Sequence, residues 1–124
     1  MTLWRNAVVA MVLVGCAGAV EVVRQALVQA LAKEATVAAG DAVGIDLRGV
    51  EDRVIILAVT ATELPPDAEF RVDGPLNRNE VTTEVQTSAT TPPGVYEVVI
   101  RTVARLDREV RDDEHRVTVE VRAP

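Results

Sequence analysis

The sequence predicts a mainly β protein: a seven-stranded antiparallel sandwich over residues 35–124, preceded by a long α-helix over residues 1–34. Three observations carry that expectation. From Ala35 onward, apolar and polar residues alternate with a period of two, as in strands with one buried and one wet face. Groups of Gly, Pro and Asp recur between the alternating runs. Before Ala35 the chain is first wholly apolar and then polar at every fourth residue, the spacing of a helix face.

The apolar run Ala7–Val20 follows Arg5 and Asn6 and is closed by Glu21. As a helix it spans about 21 Å, short of the ~30 Å hydrocarbon core of a bilayer. Adding Leu3, Trp4, Val22 and Val23 nearly closes that gap, with Arg5 and Glu21 at the two interfaces. Three readings fit. Ala17-Gly18-Ala19 is an A-x-A site of the kind that ends a secretory signal. Leu13-Val14-Gly15-Cys16 resembles the bacterial lipobox, with Cys16 as the residue acylated. Retained, the run is the first half of a permanent helix, and Gly15 and Ala19 then have the small-xxx-small spacing that lets helices approach closely. Each reading implies export or membrane attachment.

Residues 20–34 continue this helix. Glu21, Gln25, Gln29 and Lys33 form a polar stripe, while Val20, Val23, Leu27 and Leu31 line the other side. No Gly or Pro interrupts the segment, so local propensity agrees. The expected anchor or assembly face thus comprises Val9, Val12, Leu13, Gly15, Cys16, Ala19, Val23, Leu27 and Leu31. A rod of this kind needs a membrane or copies of itself to cover it.

The strands follow in order: Thr36–Ala38; Val43, Ile45 and Leu47; Ile55 to Ala61; Phe70 and Val72; Val81, Thr83 and Val85; Tyr96, Val98, Ile100 and Thr102; and Val117, Val119 and Val121. Turns are expected at Ala39-Gly40-Asp41, Gly49–Asp52, Pro65-Pro66-Asp67, Asp73-Gly74-Pro75, Pro92-Pro93-Gly94 and Asp112-Asp113-Glu114. With no helical pattern between strands, a parallel α/β sheet is not expected.

The segments VAAGDAVGIDL, VIILAVTATELPPDAEFRV, TPPGVYEVVIRT and HRVTVEV resemble prokaryotic immunoglobulin-like domains of exported and surface proteins. The resemblance covers roughly residues 36–122. It implies a Gly-Asp turn after the first strand and a Pro-Gly-x-Tyr corner at Gly94 and Tyr96, with the Tyr96 hydroxyl bonded back to backbone. Phe70 and Tyr96 are expected to point inward. The resemblance says little of function, because such domains serve as spacers, adhesins and filament subunits alike.

Thirteen basic and nineteen acidic residues give a net charge of −6, which disfavours a nucleic-acid partner. Cys16 is the single cysteine, so no internal disulfide is possible. His115, the single histidine, is expected on a charged hairpin tip beside Asp112, Asp113 and Glu114; weak Ca²⁺ binding is the competing reading. Ser88 has no paired base, and Glu80, Glu84, Glu97 and Glu120 fall on the polar faces of strands. No catalytic residue, cofactor or metal site is expected, and the scarcity of aromatics disfavours a sugar-binding face.

A long N-terminal helix leading into one small sandwich is similar in layout to archaeal type IV pilins, which implies a filament subunit whose helices bundle and whose sandwich forms the outer surface. The alternative is a secreted or lipid-anchored surface protein with a binding or spacer domain. Both place the protein outside the cytoplasm, with self-association or membrane attachment through the N-terminal segment and an unidentified surface partner.

Overall fold

The computed structural model describes residues 26–124. Eight strands follow one another: β1 (Val28–Ala30), β2 (Glu34–Ala38), β3 (Ala42–Gly49), β4 (Ile55–Thr62), β5 (Glu69–Asp73), β6 (Glu80–Gln86), β7 (Gly94–Leu106) and β8 (Glu109–Arg122). They form two four-stranded sheets, ordered β1-β3-β6-β5 and β2-β8-β7-β4. Neighbours are antiparallel except β2, which runs parallel to β8. This is the strand order of an immunoglobulin-like sandwich whose first strand is divided between the two sheets.

All seven expected strands are present, six of them within a few residues of their expected place, while β8 begins at Glu109, eight residues before Val117. The core between the sheets is aliphatic. Ile45, Leu47, Val81 and Val85 of one sheet face Ile56, Val98, Ile100, Ala104, Val117, Val119 and Val121 of the other. Their alternation with exposed neighbours is the period of two read from the sequence. Burying each such side chain contributes about 1.5–3 kcal/mol. Buried hydroxyls are partnered as burial demands: Thr83 Oγ1 donates to the Ile45 carbonyl at 2.8 Å.

The helix expected to run on to Glu34 is not found over residues 26–34. Leu27 and Val28 are in the sandwich core, and β1 pairs antiparallel with β3 from Val28↔Gly49 to Ala30↔Leu47. Helix propensity was overridden by tertiary burial: a short isolated helix is marginal in water, whereas the edge of β3 offers backbone partners and two apolar sites. Val28-Gln29-Ala30 also alternates inward and outward, a strand pattern hidden within the helical spacing. Val9, Val12, Leu13, Gly15, Cys16, Ala19 and Val23 of the expected helix face lie outside the described residues.

A second correction concerns the last hairpin. Its turn is Asp107-Arg108, closed by the pair Leu106↔Glu109, while Asp112–Glu114 lie inside β8. Asp107 takes a left-handed φ of 55°, which a two-residue hairpin turn requires and which Asp tolerates. The acidic run at 112–114 carries turn-like composition, but it alternates in burial and pairs with β7 throughout.

Candidate functional site

A cleft lined by polar side chains lies where the first strand crosses from one sheet to the other. β1 lies on β3, the chain kinks through Leu31–Lys33, and β2 then joins β8. The crossing is tied at both ends. Asp113 Oδ2, on β8, accepts the backbone N–H groups of Leu27 at 2.8 Å and Val28 at 3.3 Å. Five residues further along β8, the Thr118 N–H donates to the Lys33 carbonyl at 2.9 Å. Between these ties is a cleft of about 460 Å³ lined by Val28, Gln29, Ala30, Lys33, Glu114, His115 and Arg116.

His115 sits half-buried on this wall, its Nε2 3.0 Å from Thr102 Oγ1. Burial pushes its imidazole below the ordinary value, and the carboxylates of Asp113 and Glu114 oppose that shift only in part. A hydroxyl beside an imidazole has the composition of a nucleophile and its base. Thr102 is wholly buried, however, so no substrate reaches its oxygen. The pair bridges β7 and β8 diagonally, between the register positions Ile100↔His115 and Thr102↔Asp113. Successive side chains of β8 leave opposite faces of the sheet, so Asp112, Asp113, Glu114 and His115 do not converge on one point. Among the described residues no group of three or more His, Cys, Asp or Glu side chains is placed to hold a metal ion.

The other sequence-predicted positions are distributed through the fold. Tyr96, near the start of β7, donates its hydroxyl to the Pro92 carbonyl at 2.8 Å, the tyrosine corner expected from Pro-Gly-x-Tyr. Gly94 opens β7 beside the Tyr96 ring, and a Cβ there meets that ring at 3.6 Å, an ordinary contact. Phe70 is partly buried against the core opposite Val85. Leu27 and Leu31, expected on one helix face, are separated: Leu27 is 4% exposed in the core and Leu31 45% exposed at the kink.

Three residues have structural roles that the sequence reading did not assign, Gly49 being expected only as the start of a turn. A Cβ on Gly49 falls 2.5 Å from Val54 Cβ and 2.6 Å from Asn79 Nδ2, so no larger residue fits without displacement. Asn79 Nδ2 itself donates to the carbonyls of Glu51 and Val54 and holds the β3–β4 loop. Thr87 Oγ1 donates to the Asp41 carbonyl at 2.7 Å and accepts the Gly40 N–H at 3.0 Å, pinning the β2–β3 turn. The contacts of Asn79 and Thr87 join residues 25 to 47 positions apart, which composition does not reveal.

No protein-family model matches the chain, and no curated protein matches it. Solved structures do. Domains 4 and 5 of the S-layer protein SbsC align with a TM-score of 0.54 and 17% identity, over 77% of this chain and 51% of that one. The chain therefore spans about half the length of that structure. The titin M10–obscurin-like 1 Ig complex aligns with a TM-score of 0.42 and 17% identity, over 78% of this chain and 95% of that chain. A family 123 glycoside hydrolase from Clostridium perfringens aligns with a TM-score of 0.44 and 10% identity, over 71% and 22%. What the SbsC likeness shows at this identity is the fold.

Proposed function

We propose that this chain is a non-enzymatic structural module of the cell surface, held to the envelope at its N-terminus, by the retained apolar run or by an acyl group on Cys16, and displaying the sandwich as a spacer or lattice unit. One observation carries the reading. The apolar run ends at Val20 and the sandwich begins at Leu27, so six residues, Glu21–Ala26, join a membrane-seeking segment to a folded domain. Such spacing holds the domain close to the surface in which the segment is embedded. The likeness in fold to S-layer domains fits this role.

The pilin-like reading, in which N-terminal helices bundle at the core of a filament, is the second. It rested on an amphipathic helix through residues 20–34, and residues 27–34 instead supply β1 and the start of β2. Self-association through Val9, Val12, Leu13, Gly15, Cys16 and Ala19 remains open to it. The envelope-anchored reading needs nothing from residues 27–34 beyond the strands they form.

Cell fractionation with intact-mass measurement tests the proposal. Expressed in a cell with an envelope, the chain is expected in the membrane fraction, either with residues 1–19 retained or beginning at an acylated Cys16. Recovery of an unprocessed chain from the cytosol contradicts the proposal.

A further inference from the structure

The two sheets have four edges, and they are not equally protected. β1 has three residues, and the amides at its start are taken by Asp113. β5 has five residues and carries Glu69, Arg71 and Asp73. β2 also has five and begins at Glu34, next to Lys33. Short length and charge are the usual means by which a sheet edge avoids pairing with another chain.

The edge strand β4 has neither protection. It is eight residues long, and the stretch Val54–Thr62, VIILAVTAT, contains no charged residue in a chain whose net charge is −6. Val59, Thr60 and Thr62 are β-branched, which favours an extended backbone. Its start is covered: the Ile56 N–H donates to the Arg78 carbonyl at 2.7 Å and the Asn77 N–H to the Ile56 carbonyl at 2.8 Å. A bulge between Ile56 and Ala58 marks the end of that cover. From Ala58 to Thr62, β4 pairs with β7 on one side and with no described residue on the other.

We propose that this open edge pairs antiparallel with the same edge of a second copy, about a two-fold axis near Thr60. The charge pattern selects the occupant. Antiparallel pairing about Thr60 sets Ala58 opposite Thr62 and Val59 opposite Ala61, with no like charges facing one another. The same register brings Glu63, just past one end of the open edge, alongside Arg78 of the other copy, which covers the opposite end. Among the described residues neither Glu63 nor Arg78 has an ion pair within its own chain. The two-fold axis forms that pair twice. A pairing of this kind is isologous and closed, so it joins two sheets and stops. The interface is small, so the dimer is weak when the chain is dilute and forms at high local concentration. This inference goes beyond the anchoring reading and does not depend on it.

The test uses the full chain in mild detergent with Cys16→Ser as background. Thr60→Cys and Thr82→Cys place a thiol on exposed faces of different sheets; Thr82 lies on β6, away from the axis. The proposal expects an intermolecular disulfide at Thr60→Cys several times faster than at Thr82→Cys, because directly opposed Cβ atoms lie about 5 Å apart. Equal rates, as association through the N-terminal segment alone would give, overturn it. In the chain without added cysteines, Glu63→Arg is expected to weaken sedimentation-measured dimerisation about tenfold and Glu63→Arg with Arg78→Glu to restore it. Dimerisation unchanged by Glu63→Arg also overturns the proposal.

Discussion

The two ends of the sandwich are fastened by different means. At the end where β8 finishes, local bonds stand beside long-range ones: the Tyr96 hydroxyl reaches back four residues to Pro92 and the Thr91 N–H reaches Ser88, while Thr87 is tied to Gly40 and Asp41 across 47 and 46 residues. At the other end the fastening is long-range. Asp113 holds Leu27 and Val28 across 86 and 85 residues, and Arg53 bonds Asp107 across 54. Local fasteners form whenever their turn forms. Long-range ones need the whole sandwich in place, so that end is more exposed to the loss of any single part.

That difference also explains what was legible in the sequence. The seven strands and the Tyr96 corner were readable because period two and Pro-Pro-Gly-x-Tyr are local patterns. β1 was not, since Gln25, Gln29 and Lys33 satisfy a helical stripe and the reason Leu27 and Val28 are extended lies on β3 and β8. The cleft at His115 was unreadable for the same cause: its two walls are more than 80 residues apart in the chain.

The largest effect is expected where the long-range end has no slack. Gly49→Ala forces a Cβ against Val54 and Asn79 and is expected to cost about 3 kcal/mol in urea unfolding, in the range of overpacked cores. A cost below about 1 kcal/mol means the loop yields, and the contrast between the ends weakens. Asp113→Ala removes the acceptor of two amides and is expected to cost about 2 kcal/mol, with the Leu27 and Val28 amides exchanging faster than those of β3.

At the end where β8 finishes the effect of losing a local bond is smaller. Tyr96→Phe keeps the ring and loses one hydrogen bond to an accessible carbonyl, for an expected loss of about 1 kcal/mol. Were it to exceed the loss at Asp113, the ranking of the two ends would be reversed.

The smallest expected effect is a slope with pH. His115 binds its proton less readily in the folded chain than the ordinary value of 6.5 implies. As pH falls, the unfolded chain takes up that proton first. The stability associated with neutral His115 is therefore present above that value and lost as pH falls through the lower, folded one. His115→Gln is expected to flatten the dependence of unfolding free energy on pH in this window, and an unchanged slope assigns it to other groups.

From Leu27 onward the chain belongs to the sandwich. Comparing urea unfolding of residues 27–124 with that of residues 35–124 tests this most directly. The account predicts that the longer fragment unfolds cooperatively and that the shorter one is less stable by at least about 3 kcal/mol, having lost Leu27, Val28 and the cover of β3. Equal stability of the two fragments would contradict it and return residues 27–34 to a separate N-terminal element.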